Sequence, residues 1–296
     1  MTTRIRPLLV NGHEILLDRE LGRAAEAAGY QVSQKVRVAD VFEIEGSGLT
    51  NEQYGYALRA HFDFVVTEGE ERIPQFAVEF DGPLHDTDAR TAARDAIKDA
   101  ICEHFGLPIL RIDGTFLRPV KRKTLVGLLV EAWGMYQGFM AAQAAGQVPL
   151  DEPWCYFSVL EVDPATGRLT EPLALDSEGR VLMHQLHAKG VTAMPGPASL
   201  VRFDDGQVAT SYATVELADG TFITAEAHVR TFRFPPIGPH ELAEDLAVEN
   251  LRSRIRLWMA GHNLAVGRDV VERIRREHPT SQGWHLSGSM HDAWVD

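Results

Sequence analysis

The sequence predicts an α/β protein, with a mixed sheet flanked by helices in its first half and a β-rich second half that carries terminal helices. Two observations support that expectation. Between His61 and Arg111, two runs of strand periodicity precede a helical run and a short apolar strand. From Trp154 to Pro235, short β-like runs are separated by the turn signals DPATG, DSEG, PGP, DDG and ADG. The stretch AAQAAGQVPLDEP lies between the two textures, so the expected domains are residues 1–148 and 149–296.

Residues 11–29 read as the first helix. Asn11 can cap it, Glu14 stands at the capping-box spacing, Leu17, Leu21, Ala24, Ala25 and Ala28 form a buried stripe, and Gly29 ends it. Glu14 falls at the edge of that stripe, whereas Glu20 lies well off it. Tyr30 to Phe42 then reads as a strand with Lys35 and Arg37 pointing outward, and EIEGSGLTNEQYGYALRA as a flexible connector.

The chemistry concentrates between His61 and Arg111. In the run His61 to Thr67, Asp63 shares a face with His61 and Val65; in Phe76 to Asp81, Glu79 shares a face with Asp81. The polar connector TEGEERIP suits a hairpin, and antiparallel pairing would bring Asp63, Glu79 and Asp81 together. Gathered carboxylates repel each other and are costly to desolvate, so a cation usually offsets them, and hard oxygen ligands suit Mg²⁺ or Mn²⁺. An isolated D…ExD pattern is equally a solvent-facing acidic strand.

The next segment narrows that choice. DTDARTAARDAIKDAICEHFG has helical spacing, with Ala93, Ile97, Ala100, Ile101 and Phe105 toward a core and Arg90, Arg94 and Lys98 in a basic stripe at its edge. LPILRI continues the chain as a short apolar strand ending in Arg111. Thr115 to Ala145 is mostly helical, with Leu125, Leu128, Leu129, Ala132, Trp133 and Tyr136 forming a wide apolar face.

In the second half, WCYFSVLEV, RVLMHQL, ASLVRF, VATSYATVEL, TFITAEA and VRTFRF read as strands of a small antiparallel sheet or barrel. HELAEDLAVENLRSRIRLWMAG reads as an amphipathic helix, and a last helix covers about Val266 to His278. His184 and His187 stand three apart, but no nearby Cys or third ligand accompanies them.

Composition sets further bounds. A net charge of −13, from 29 Lys+Arg against 42 Asp+Glu, argues against an extensive phosphate-binding surface and leaves only local patches, such as Lys121 to Lys123 and the helix ends near Arg252 and Arg273. No apolar run reaches the roughly 18 residues of a membrane span. Asn11, His13 and Glu14 interrupt the apolar N-terminus, so no signal peptide is expected. Cys102 and Cys155 read as buried thiols of a reducing compartment, which implies a cytoplasmic location.

Several motifs, taken in order, resemble the PD-(D/E)XK nuclease superfamily, closest to a very-short-patch-repair-like branch of largely uncharacterised bacterial domains. They are Val32 to Phe42 (VSQKVRVADVF); Asp63 with Phe64; Glu79, Asp81, Gly82 and His85; and Arg94, Asp95 and Lys98, all within roughly residues 10–120. The resemblance implies a restriction-endonuclease-like mixed sheet and Mg²⁺- or Mn²⁺-dependent endonuclease activity on nucleic acid, with DNA favoured over RNA. It assigns catalytic roles to Asp63, Glu79, Asp81, His85 and Lys98. Metal would be held by Asp63, Glu79, the Phe80 carbonyl and Glu14, and Arg94 and Arg90 would contact substrate phosphate.

The usual Lys two positions after the Glu is replaced by Asp81, which leaves Lys98 or His85 as substitutes. Asp81 would then bind metal or hold Lys98 in place. The alternative is a catalytically inactive nuclease-like module that binds through its β-rich half; metal-dependent chemistry on another phosphate ester is a third reading. The expected partner is nucleic acid and not a membrane, with the second half open to a homodimer contact or a protein partner.

Overall fold

The structure, a computed structural model, describes residues 12–82, 89–120, 123–156, 160–162, 169–172, 174–202, 208–278 and 284–287. The chain divides into two compact units, Met1–Trp154 with Phe232–Pro236, and Cys155–Thr231 with Ile237–Asp296.

The first unit begins with α1 (Gly12–Ala27), which buries Leu17, Leu21 and Ala25. Ala28 is exposed, so the buried stripe is one turn shorter than its spacing suggested. The strand β1 (Tyr30–Arg37) stops five residues before Phe42, because the chain turns into the short helix α2 (Val38–Val41). At that turn the Val38 amide donates to the Ala60 carbonyl at 2.9 Å.

The connector expected to be flexible contains α3 (Asn51–Ala57), which starts in a capping box: Gln53 N donates to Thr50 Oγ1, and Thr50 N donates to Gln53 Oε1. Thr50 and Gln53 carry that signal in the sequence.

The strands β2 (His61–Glu68) and β3 (Ile73–Phe80) form the expected antiparallel hairpin, with Phe64 opposite Val78 and a register shift at Val66/Thr67. The helix α4 (Ala89–Phe105) returns the chain to β4 (Ile109–Ile112), which lies parallel to β3. The four strands are ordered β1-β2-β3-β4, giving a mixed sheet flanked by helices. Phe62, Phe64, Val65, Val66, Phe76, Ala77 and Val78 are all buried, so both faces of the hairpin are covered. On α4, Ile101 and Cys102 face that core, whereas Ala93, expected there, is exposed.

Beyond β4, a 3-10 turn (Gly114–Leu117) and the hairpin of β5 (Pro119–Val120) and β6 (Lys123–Thr124) occupy the start of the segment expected to be helical. The helix α5 (Leu125–Ala144) then buries Leu125, Leu128, Leu129, Ala132 and Trp133. Phe234, far along the chain, packs on Phe76 and Trp133.

The second unit opens with β7 (Leu160–Val162) and β8 (Leu169–Pro172), an antiparallel pair. RVLMHQL, expected as a strand, lies in α6 (Ser177–Ala188), because burial of Met183 and Leu186, three apart, follows helical spacing. The strands β9 (Ala198–Arg202), β10 (Val208–Glu216) and β11 (Phe222–Arg230) precede α7 (Pro239–Met259), α8 (Arg268–Glu277) and β12 (Trp284–Ser287). These strands form a sheet ordered β11-β10-β9-β12, on which α7 packs Ala247, Val248, Leu251 and Ile255 against Ala213, Val215, Ile223 and Ala225. Among the described residues, no helix is long and apolar enough to cross a membrane.

Candidate functional site

Four charged residues form one row across the first unit's sheet. The β1–β2 pairs Gln34↔Phe64 and Val36↔Phe62 set Lys35 opposite Asp63. One step beyond the β2–β3 pair Phe64↔Val78, Asp63 comes opposite Glu79, and Glu79 pairs in turn with Arg111. Main-chain donors tie the central acids together: Phe80 N donates to Asp63 Oδ2 at 3.0 Å, and Asp63 N to Glu79 Oε1 at 3.4 Å.

Each acid has a cation. Lys35 Nζ lies 2.6 Å from Asp63 Oδ1 and 3.5 Å from Glu14 Oε1, in the first turn of α1. Lys98 Nζ, from α4, lies 2.7 Å from Glu79 Oε1 and donates to the His61 carbonyl at 2.9 Å, above the Phe62 ring. Arg111 reaches Asp99 at 2.8 Å, Asp95 at 3.1 Å and Asp81 at 3.6 Å.

These surroundings shift the titrations. Burial pushes the Glu79 carboxyl up to about 7 against the pull of Lys98, and the Asp63 charge adds to the rise. Burial alone would lower Lys35, but its hydrogen bond to Asp63 and the nearby Asp63 and Glu14 charges hold it above the usual ammonium value. For Arg111, too, burial works downward and is outweighed, chiefly by Asp99 and Asp95. Burial, with Glu79 and Asp95 nearby, pushes the Tyr56 phenol up to about 12.

The structure thus brings together Asp63, Glu79, Lys98, Glu14 and Phe80. Asp81 is buried against Arg111, so it does not hold Lys98 in place; Glu79 and the His61 carbonyl do that. The basic stripe does not run along the edge of the core: Arg94 is exposed while Lys98 is buried. The side chain of Arg90 and all of His85 lie outside the described residues.

Sequence reasoning missed three neighbours. Lys35, expected to point outward, faces the acids, and the β1–β2 register was the signal that could have placed it. Arg111 is visible in the sequence only as the end of a strand. His13 shows there only as a break in an apolar run, yet its ring stacks on Phe80 with centroids 5.5 Å apart.

Among the described residues, no group of three or more His, Cys, Asp and Glu is arranged to hold a metal. The Lys35 ammonium lies between two carboxylates, Glu14 and Asp63. Magnesium usually takes one or two carboxylates and completes its shell with water and substrate phosphate, so this hard-oxygen pair fits such an ion.

Other sequence candidates find structural partners instead. Arg252 is buried between Glu249 and Glu178, so it contributes no open basic patch. Lys123 pairs with Glu131, and residues 121–122 lie outside the described set. His184 and His187 sit exposed on α6, with His187 Nδ1 3.0 Å from the Thr192 carbonyl. Cys102 is buried, and burial pushes its thiol up to about 12; Cys155, expected to be buried, is exposed. A groove lined by Phe42, Phe105, Pro108, Trp133 and Tyr136 lies at the entry ends of β3 and β4, away from the acids at their exit ends.

Residues 6–120, the span that holds this whole site, match a family described as a protein of unknown function (DUF2726). No curated protein and no solved structure matches the chain.

Proposed function

We propose that the first unit is a metal-dependent endonuclease that hydrolyses phosphodiester bonds of nucleic acid, with DNA favoured over RNA. The observation that carries this reading is the row in which Asp63 and Glu79 stand side by side, flanked by Lys35 and with Lys98 on Glu79. The strand order, with the first three strands antiparallel and the fourth parallel after a helix, supports the resemblance to the PD-(D/E)XK superfamily.

Asp63 and Glu14, with Glu79 and the Phe80 carbonyl, would hold Mg²⁺ or Mn²⁺. Bound there, the ion would polarise a phosphoryl oxygen and lower the pKa of a coordinated water. Lys98 orients Glu79 and opposes the burial that favours its protonation, and its ammonium contributes positive charge where negative charge develops on the phosphate. The Phe80 amide fixes the rotamer of Asp63 through Oδ2. Arg94, exposed one helical turn before Lys98, would meet a substrate phosphate.

The internal pairing of every acid in the row favours a second reading, a nuclease-like module that binds without cleaving. The test is cleavage of supercoiled plasmid, linear duplex, single-stranded DNA and RNA with Mg²⁺, Mn²⁺ or EDTA, comparing wild type with folded Asp63→Ala and Glu79→Ala. Metal-dependent cleavage that both substitutions abolish is the expected result. Absence of cleavage on every substrate would leave the binding module as the account.

A further inference from the structure

We infer that the Lys35 ammonium is the resident counter-cation of Glu14 and Asp63, and that a divalent metal binds by displacing it. Lys35 thereby sets the metal affinity of the site. The inference rests on the metal-dependent reading and assigns a role to a residue that the reading leaves without one.

The first argument is position. Lys35 Nζ stands between carboxylates from two different elements, 2.6 Å from Asp63 and 3.5 Å from Glu14, where hard oxygen donors would otherwise face each other. A metal ion and an ammonium cannot both occupy that point, because the repulsion from a dication at contact distance cancels the attraction of the ammonium to the two carboxylates.

The second is backbone conformation. Lys35 has φ of +50°, whereas its neighbours Gln34 and Val36 pair regularly with β2. A residue with a side chain adopts that conformation at a cost, and such outliers cluster where a ligand or a switch needs them. Here the kink lies at the residue that points its charge into the acids.

The third is the contrast between the two lysines. The Lys98 side chain is 7% exposed and held by both Glu79 and the His61 carbonyl. The Lys35 side chain is 31% exposed, on a flexible four-carbon stem that can swing into solvent. With Lys35 in place the Glu14–Asp63 pair carries a net single negative charge; once Lys35 leaves, both charges are available to a dication. Lys98 stays, so Glu79 remains compensated whether or not metal is bound.

The test is Mn²⁺ binding to the full chain by calorimetry, with wild type beside Lys35→Met, which keeps the stem and removes the charge, and Lys35→Gly, which also suits the positive φ. Both variants are expected to bind Mn²⁺ on the order of ten-fold tighter than wild type, because the competing cation is gone. Lys35→Arg, which keeps the charge, should stay near wild type, and Asp63→Asn added to Lys35→Met should remove the gain.

Unchanged or weaker binding in folded Lys35→Met and Lys35→Gly overturns the inference. If wild type still binds Mn²⁺ and cleaves, the nuclease reading stands without it. Absence of Mn²⁺ binding in wild type and both variants overturns the inference and the metal-dependent reading together. Binding seen only in the variants supports the inference in its strongest form.

Discussion

Lys98 Nζ lies 2.7 Å from Glu79 Oε1, and the two side chains are only 7% and 10% exposed. Removing one member of such a buried pair costs about 3–5 kcal/mol, since the other is left charged and dry. The two halves of this pair differ. In Lys98→Met, Glu79 can shed its charge by taking a proton, because its carboxyl is already lifted to about 7. In Glu79→Gln, the Lys98 ammonium stays in its buried site with the His61 carbonyl and without its carboxylate partner. Urea unfolding at pH 7 should therefore show a larger loss for Glu79→Gln than for Lys98→Met. The double variant should recover at least about 1 kcal/mol of the summed losses. Strict additivity would refute the pairing.

Arg111 ties β4 to α4 through Asp95 and Asp99, and to the end of β3 through Asp81. The guanidinium reaches Asp81 and Asp95 through Nη1 and Asp99 through Nη2, a spread that the single nitrogen of an ammonium does not reproduce. Arg111→Lys is thus expected to cost roughly 2–3 kcal/mol, and Arg111→Met more, because it leaves the buried Asp81 without that cation. An Arg111→Lys variant with the wild-type urea midpoint would remove this role.

The hairpin and the acids were legible because period-two alternation around Asp63 and Glu79 is strong and local. Lys98 was legible because its helix has clear 3.6-residue spacing. Lys35 was not. It stands opposite Asp63 through the register of β1 on β2, and periodicity within one strand does not give its register against another across a long connector. The pairing of Asp81 with Arg111 was hidden for a related reason: it is set by the parallel register of β3 and β4, a contact made across the whole of α4. RVLMHQL misled because a short apolar run has no decisive period, and burial against α7 selected the helix.

Two helical glycines should respond in opposite ways to alanine. Gly138 on α5 has open space where a Cβ would go, so Gly138→Ala should stabilise by roughly 0.5–1 kcal/mol through helix propensity. A Cβ at Gly179 on α6 would meet Val248 Cγ1 at 3.1 Å and the Val248 carbonyl oxygen at 3.2 Å, and the latter is backbone within α7. There the close approach should outweigh propensity and leave Gly179→Ala less stable by about 1 kcal/mol. Thermal unfolding of both variants checks the pair, and a stabilised Gly179→Ala would show that α6 and α7 have room to separate.

The second unit holds one carboxyl whose titration should be visible in stability. Asp245 is fully buried and accepts hydrogen bonds at Oδ2 from the Tyr156 hydroxyl and from Leu175 N, the latter at 2.8 Å. Burial holds it well above the usual carboxylate range, and the Asp176 charge, with a smaller contribution from Glu244, adds to the rise against the pull of those two donors. A raised carboxyl keeps its proton in the folded state at a pH where the unfolded chain has lost it. Its contribution is therefore complete below the unfolded value of about 4 and declines as pH rises through the folded value. Asp245→Asn keeps an acceptor for Tyr156 and Leu175 but cannot ionise, and any fixed cost of the amide is the same at every pH. Unfolding free energy followed upward from about pH 4 should fall less steeply in Asp245→Asn than in wild type. Parallel profiles would mean that Asp245 is ionised in the folded protein, with Arg180, which bridges Asp176 and Glu244 beside it, compensating the charge.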